Sequence, residues 1–278
     1  MSSSEISPIV GAALRRTSPV ALPGTRGNDP ALMILASNDD GIQSSGLARL
    51  VEALQAIDNV VVVAPDRERS AVSHALTIDR PLRADEIQPG WIAVNGTPTD
   101  CVNLALNGLL DEKPWLIVSG INRGANLGDD ITYSGTVSAA MEAVLLGIPA
   151  VAFSQVGQVA FRYEAAARFA ATLVASLKHT GLPPDTLLNV NVPDVTEPLG
   201  FVVTKQGKRR YGDAIIEKDD PRGRKYYWIG GTELDFDGAP GTDFTAIRDG
   251  LISVTPLHLD LTNYEAMESL STLRLNWP

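Results

Sequence analysis

The sequence predicts an α/β protein: a mostly parallel sheet wrapped by helices, with β-hairpins protruding near the C terminus. Three observations predict it. Strand and helix signals alternate from Leu32 to Val192. Val60–Ala64 is an unbroken apolar run stopped by Pro65, as expected of a strand covered on both faces. After about Gly200 the texture changes to short strand-like pieces, aromatics (Tyr211, Tyr226, Tyr227, Trp228) and glycines (Gly230, Gly231, Gly238, Gly241).

Each element has its own signal. Met33–Ala36 is a short apolar run, and Leu47, Leu50, Val51, Leu54 and Ile57 follow at helical spacing. Val60–Ala64 is the second strand. Thr97-Pro98-Thr99-Asp100 reads as a helix start, with Thr as N-cap, Pro at the first helical position and Asp three residues after the cap. Val102, Leu106, Leu109 and Leu110 mark that helix's buried face, and Trp115–Ser119 is the next strand. Val137, Ala140, Met141, Val144 and Leu145 form another stripe, closed by Gly147 and Pro149. Ala150–Phe153, a helix near Tyr163–Lys178 and the run Leu187–Val192 continue the alternation.

The chain has 278 residues, long enough for one large domain with a sizeable core. Residues 1–31, rich in Ser, Pro and Gly, read as a disordered extension. A transit peptide is the alternative, since only Glu5 and Asp29 are acidic there. The body then spans 32–278, with a core over about 32–199, an oligomerisation arm over about 200–256 and a helix over about 262–271.

Composition excludes several classes. A single cysteine, Cys101, rules out an intrachain disulfide and a cysteine-cluster zinc site, and suits a reducing cytoplasm. Three histidines (His74, His179, His258) make no HExxH pair. Thirty-three acidic against 23 basic residues give a net charge of −10, which disfavours binding to nucleic-acid duplexes. No apolar run approaches the ~18 residues of a membrane span. Walker and GxGxxG loops are also missing.

Ligands of open α/β sheets bind beyond the carboxyl ends of the strands. The first strand ends in Ser37-Asn38-Asp39-Asp40-Gly41, where a divalent cation would relieve repulsion between adjacent carboxylates. A tight polar turn would use the same residues. The second strand ends in Asp66-Arg67-Glu68-Arg69-Ser70, whose hydroxyl either joins that site or caps a turn. Ser119-Gly120-Ile121-Asn122-Arg123-Gly124-Ala125-Asn126-Leu127-Gly128 combines glycines that admit close approach with two neutral amide oxygens. Tyr133-Ser134-Gly135-Thr136 opens a helix, so free N–H groups and hydroxyls offer a phosphate cradle, or plain N-capping. The convergence of hard oxygen donors with a phosphate-type loop favours a functional site and Mg²⁺ or Mn²⁺ over zinc.

These segments occur in one order together with Ala64-Pro65-Asp66, Val94-Asn95-Gly96-Thr97-Pro98 and Ser253-Val254-Thr255-Pro256-Leu257. Jointly they closely resemble the survival protein SurE family of metal-dependent 5′-nucleotidases, from about Met33 to near the C terminus. The resemblance implies a Rossmann-like core, a C-terminal β arm exchanged between subunits, and a homodimer or homotetramer. It implies hydrolysis of nucleoside 5′-monophosphates, with 3′-monophosphates and polyphosphate as further substrates. It implies Asp39, Asp40, Ser70 and Asn122 as ligands of one divalent metal ion per subunit. Ser134, Gly135 and Thr136 become the phosphate loop, and Asn126 lines the pocket. Asp39, Asp40 and Asn126 form the catalytic set. Family members start close to the first strand, so residues 1–32 depart from the pattern and Met33 is an alternative start.

A nucleotide-sensing module without turnover is the competing reading; the presence of both aspartates favours catalysis. A haloacid-dehalogenase phosphatase would need an aspartate two residues after Asp39, where Gly41 stands. Between Lys205 and Lys225 eight basic residues face four acidic ones, which suits a solvated hairpin or subunit contact, or attraction of an anionic substrate. Cys101 is expected in the core, His74 near substrate, His179 on the surface, and His258 in an interface or the core.

Overall fold

The computed structural model describes residues 32–157, 161–210, 215–229, 235–236 and 238–275. The expected extension over 1–31 lies outside them. The strands are β1 (Met33–Ser37), β2 (Asn59–Pro65), β3 (Ala84–Gln88), β4 (Trp91–Val94), β5 (Leu116–Arg123), β6 (Ala150–Gln155), β7 (Leu187–Val192), β8 (Phe201–Val203), β9 (Arg209–Arg210), β10 (Ile215–Asp219), β11 (Lys225–Ile229), β12 (Asp235–Phe236) and β13 (Ile252–Leu257). The helices are α1 (Ser45–Leu54), α2 (Pro98–Leu104), α3 (Gly135–Leu145), α4 (Glu164–Thr180), α5 (Asp243–Arg248) and α6 (Tyr264–Leu270).

Nine strands form one sheet in the order β3-β4-β2-β1-β5-β6-β7-β13-β8. From β4 to β7 all neighbours are parallel, while β3 runs antiparallel to β4 and β13 antiparallel to β7. Strand alternation divides the core in two. Ile34, Ala36, Val62, Val118 and Phe153 pack with Leu47, Leu50 and Leu54 of α1 and Ala166, Ala170 and Val174 of α4. Met33, Leu35, Val63, Ile117 and Ala152 pack with Cys101 and Val102 of α2 and Val137, Ala140 and Ala143 of α3. Helices on both faces are therefore the direct consequence of strands apolar on both sides.

The helix starts follow their caps. Ser44 accepts from Leu47 N–H at the head of α1, and Thr97 forms a capping box with Asp100 at the head of α2. On α3 the buried face includes Ala139 and Ala143, whereas Leu145 is exposed. Small residues let this helix approach both the sheet and α2, and Leu145 falls past the contact at its last position.

Strands β3 and β4 carried no usable sequence signal. Ala84-Asp85-Glu86-Ile87-Gln88 is a polar, mostly exposed edge strand, and β4 has only four residues. Both ends of the 200–256 stretch belong to the main sheet, through β8 and β13. The part that projects is the antiparallel hairpin β10–β11, with Ile215 paired to Ile229 and Asp219 to Lys225. His258 is exposed, so its place is not the core; it follows the last sheet position of β13. His179 is exposed at the end of α4, and Cys101 is buried, its thiol pushed up by that burial. Among the described residues no helix is long and apolar enough to cross a membrane.

Candidate active site

The chain leaves β1 toward β2 on one side and, later, places β5 on the other, so a crevice opens beyond the carboxyl ends of these strands. A cleft of about 250 Å³ lies here, lined by Asp39, Ser70, Asn122, Asn126, Ser134 and neighbouring residues. The turn after β1 is packed against the turn after β2. Arg69 N–H donates to the Asp39 carbonyl at 2.7 Å, and Ile42 N–H to the Pro65 carbonyl at 2.8 Å. Gly41 has φ +94°, and a Cβ there would lie 2.9 Å from the Arg67 carbonyl carbon. Glycine is needed both for that backbone conformation and for the contact.

The two carboxylates are each fixed through one oxygen by a different element. Thr136 Oγ1 donates to Asp39 Oδ1, and Arg123 N–H donates to Asp40 Oδ2 at 2.9 Å. Asp39 is 4% exposed. Burial pushes its carboxyl up to about 6, against the lowering effect of Thr136, and neighbouring Asp40 raises it further. Asp40 is likewise raised by burial, partly offset by Arg123 N–H. Two adjacent carboxylates thus sit where ionisation is disfavoured unless positive charge arrives.

Of the remaining candidates, Ser70, Asn122, Asn126 and Ser134 line the cleft, while Gly135 and Thr136 pack behind it on Asp39. Asn122 Nδ2 donates to the Gly124 carbonyl at 3.0 Å, which turns the amide nitrogen into its own loop and leaves Oδ1 as the atom that could ligate a cation. Ser70 Oγ donates to Glu68 Oε1 at 2.9 Å on the exposed rim. Ser134 caps α3 by accepting from Val137 N–H at 3.1 Å, so its own O–H remains a donor. Gly135 packs on Asp39: a Cβ there would lie 2.8 Å from the Asp39 Cβ. Thr136 is fully buried and its hydroxyl serves Asp39.

Asn126 sits in a lattice of amides. Its N–H donates to Asn191 Oδ1 at 2.8 Å and its Nδ2 to Ser154 Oγ at 2.8 Å. Its carbonyl accepts from Asn189 Nδ2 at 2.8 Å and Asn191 Nδ2 at 2.9 Å. Asn189 and Asn191 escaped the sequence reading, although two asparagines alternating in Leu187–Val192 put buried polar groups on one face of a central strand. That alternation was the available signal.

Arg123, Asp130, Tyr133 and Ala71 also line the cleft without having been singled out for it. Asp130 lies on the 3₁₀ turn Gly128–Thr132 and pairs with Arg209 Nη2 at 2.6 Å. Asp243 accepts from Gly128 N–H at 2.8 Å and Gly207 N–H at 2.9 Å, tying that turn to the root of the arm. Part of the basic stretch is paired within the chain, Arg209–Asp130 in a sheltered position and Lys208–Asp129 and Lys225–Glu217 at the surface. His74 does not line the cleft. Its Nε2–H donates to Glu142 Oε2 at 2.8 Å, and Asn103 Nδ2 donates to Glu142 Oε1 at 2.7 Å. Ala71 and Ser73, in the loop after Ser70, have φ of 55° and 56°. Ser73 ties that strained loop to the Thr132 carbonyl at 2.7 Å and the Tyr133 carbonyl at 3.1 Å.

Among the described residues no three His, Cys, Asp or Glu side chains gather around one point. A cation here would thus have two carboxylates, a hydroxyl and an amide oxygen, a hard donor set that suits Mg²⁺ or Mn²⁺. Fold and site together define an α/β protein with an oxygen-donor site beside a helix N-terminus. Residues 34–213 match the family model of survival protein SurE. The chain is 58% identical over 242 residues to the 5′-nucleotidase SurE of Syntrophotalea carbinolica, covering 86% of this chain and 96% of that one. It is 59% identical over 246 residues to the 5′-nucleotidase SurE of Geobacter sulfurreducens, covering 87% and 94%. The crystal structure of the SurE protein from Aquifex aeolicus aligns with TM-score 0.79 at 47% identity, covering 86% of this chain and 98% of that one. The chain belongs to the survival protein SurE family.

Proposed function

We propose that the protein is a divalent-metal-dependent phosphomonoesterase that hydrolyses nucleoside 5′-monophosphates to nucleoside and phosphate. The observation that carries this reading is the meeting of Asp39, Ser70, Asn122 and the head of α3 at one cleft, with Asp40 tethered beside them. Relatives named 5′-nucleotidase at 58–59% identity support it.

Asp39, Asp40, Ser70 and Asn122 would hold the cation. When bound, it would supply Lewis-acid polarisation of a phosphoryl oxygen and an acidified water. The residues of the chain do the rest. Backbone N–H groups of the first turn of α3, with the Ser134 hydroxyl, face the place where phosphoryl oxygens gain charge. One of the two carboxylates accepts the proton of the water that attacks in line. Thr136 and the Arg123 N–H keep those carboxylates from rotating away. Asn126, held on four sides by Asn189, Asn191 and Ser154, lines the inner wall. No side chain need bond covalently to phosphorus.

Both faces of β10–β11 are exposed, with Ile215, Tyr227 and Ile229 on one and Ile216 and Trp228 on the other, which supports the homodimer or homotetramer reading. The test is phosphate release from nucleoside 5′- and 3′-monophosphates and polyphosphate with Mn²⁺, Mg²⁺ or chelator, alongside Asp40→Asn. Expected is metal-dependent release from 5′-monophosphates that falls at least about a hundredfold in the variant. Nucleotide binding without any release would favour a sensing module, and release surviving both chelator and substitution would overturn the site.

A further inference from the structure

We infer that the Arg123 side chain is a substrate-binding residue that engages the anionic phosphate group from the cleft wall beside Asp40. This rests on the phosphomonoesterase reading and adds a contact to it.

Charge and geometry converge on this residue. Among the described residues, Arg123 is the cationic side chain of the cleft lining, where Asp39 and Asp130 are the anionic ones. Asp130 is already matched by Arg209. A divalent cation would balance Asp39 and Asp40, so the two negative charges of an entering phosphate monoester would meet one remaining guanidinium. That guanidinium enters none of the ion pairs formed among the described residues, unlike those of Arg49, Arg67, Arg69, Arg162, Arg168, Arg209 and Arg248. Instead its Cζ lies 5.3 Å from the ring centroid of Phe161, which is itself stacked on Tyr163 at 6.3 Å. An aromatic face steadies a guanidinium without using its N–H donors, so the fork stays available to oxyanion oxygens.

The chain also separates the two duties of this residue. The backbone N–H anchors Asp40, whereas the exposed side chain is the proposed phosphate contact. Replacing the side chain therefore removes one function and leaves the carboxylate tether in place.

The experiment compares the full chain with Arg123→Gln, Arg123→Lys and Arg49→Gln, the last a surface charge control on α1. Steady-state kinetics with a nucleoside 5′-monophosphate is read beside calorimetric binding of inorganic phosphate, with melting temperature as the folding check. Arg123→Gln is expected to raise KM and weaken phosphate binding on the order of tenfold to a hundredfold. Its kcat stays within about twofold and its KM loses part of its salt dependence. Arg123→Lys recovers part of the loss, and Arg49→Gln matches the parent. Unchanged KM and phosphate affinity in Arg123→Gln would overturn the contact. So would a fall in kcat alone, or an equal effect of Arg49→Gln. If the parent turns over no nucleoside monophosphate yet Arg123→Gln still weakens phosphate binding, the substrate reading falls and the contact stands.

Discussion

Thr136 Oγ1 donates a hydrogen bond to Asp39 Oδ1 across 97 residues of sequence, joining the head of α3 to the end of β1. The hydroxyl lies in the phosphate-type loop, but its donor is spent on the carboxylate. Thr136 therefore sets the orientation of Asp39 and, by stabilising its ionised form, opposes the rise in pKa that burial imposes. Thr136→Val keeps the shape and removes the donor. It should lower kcat by tenfold or more while Thr136→Ser retains most activity, as initial rates at saturating metal would show.

Gly135 tests the same contact sterically. A Cβ at this position would overlap Asp39 Cβ at 2.8 Å, and neither the sheet end nor the helix head can yield freely. Gly135→Ala should weaken divalent-metal binding and activity together while secondary structure is kept. Calorimetric metal titration with far-UV circular dichroism checks both halves.

The amide lattice predicts a different outcome. Asn191→Ala leaves the buried Asn126 N–H without its acceptor and removes a donor from the Asn126 carbonyl. An unfolding cost of about 1–3 kcal/mol is expected, since a buried polar group loses its partner. Denaturant melts measure this, and kcat should fall with it because Asn126 lines the cleft.

Glu142 gives a dependence on pH. The hydrogen bond from His74, joined by that from Asn103, holds the carboxyl below its ordinary value of 4.5, although burial acts the other way. A depressed native pKa means stability that is present above the unfolded value and lost as pH falls through the native one. Glu142→Gln should cost about 1.5–3 kcal/mol near neutrality. The gap to the parent should close in acid below about pH 4. Thermal melts of both proteins across that range decide it, and a gap constant with pH would refute the assignment.

These contacts also show where sequence reading stops. The motif segments were legible because each is local: a strand end followed by the residues that a turn, a cap or a cation needs. Their adjacency was expected from the rule that such sites gather at the carboxyl ends of parallel strands. The two strands that were missed, Ala84–Gln88 and Trp91–Val94, are short or polar; Trp91–Val94 takes strand form by pairing to Asn59–Pro65, and Ala84–Gln88 by pairing to Trp91–Val94.

What the sequence determined by itself is the alternation of elements, the helix caps at Thr97 and Ser134, and the stock of hard oxygen donors. Period, propensity and capping act over a few residues, so they are written in the chain. The tertiary structure alone decided that Thr136 serves Asp39, that Arg123 anchors Asp40 by its main chain while its guanidinium rests on Phe161, and that Asn189 and Asn191 hold Asn126. Each of these depends on sheet order and register across tens of residues. Hydrogen bonds and charge pairs act over a few ångströms, so only the folded arrangement selects which distant groups come within their reach.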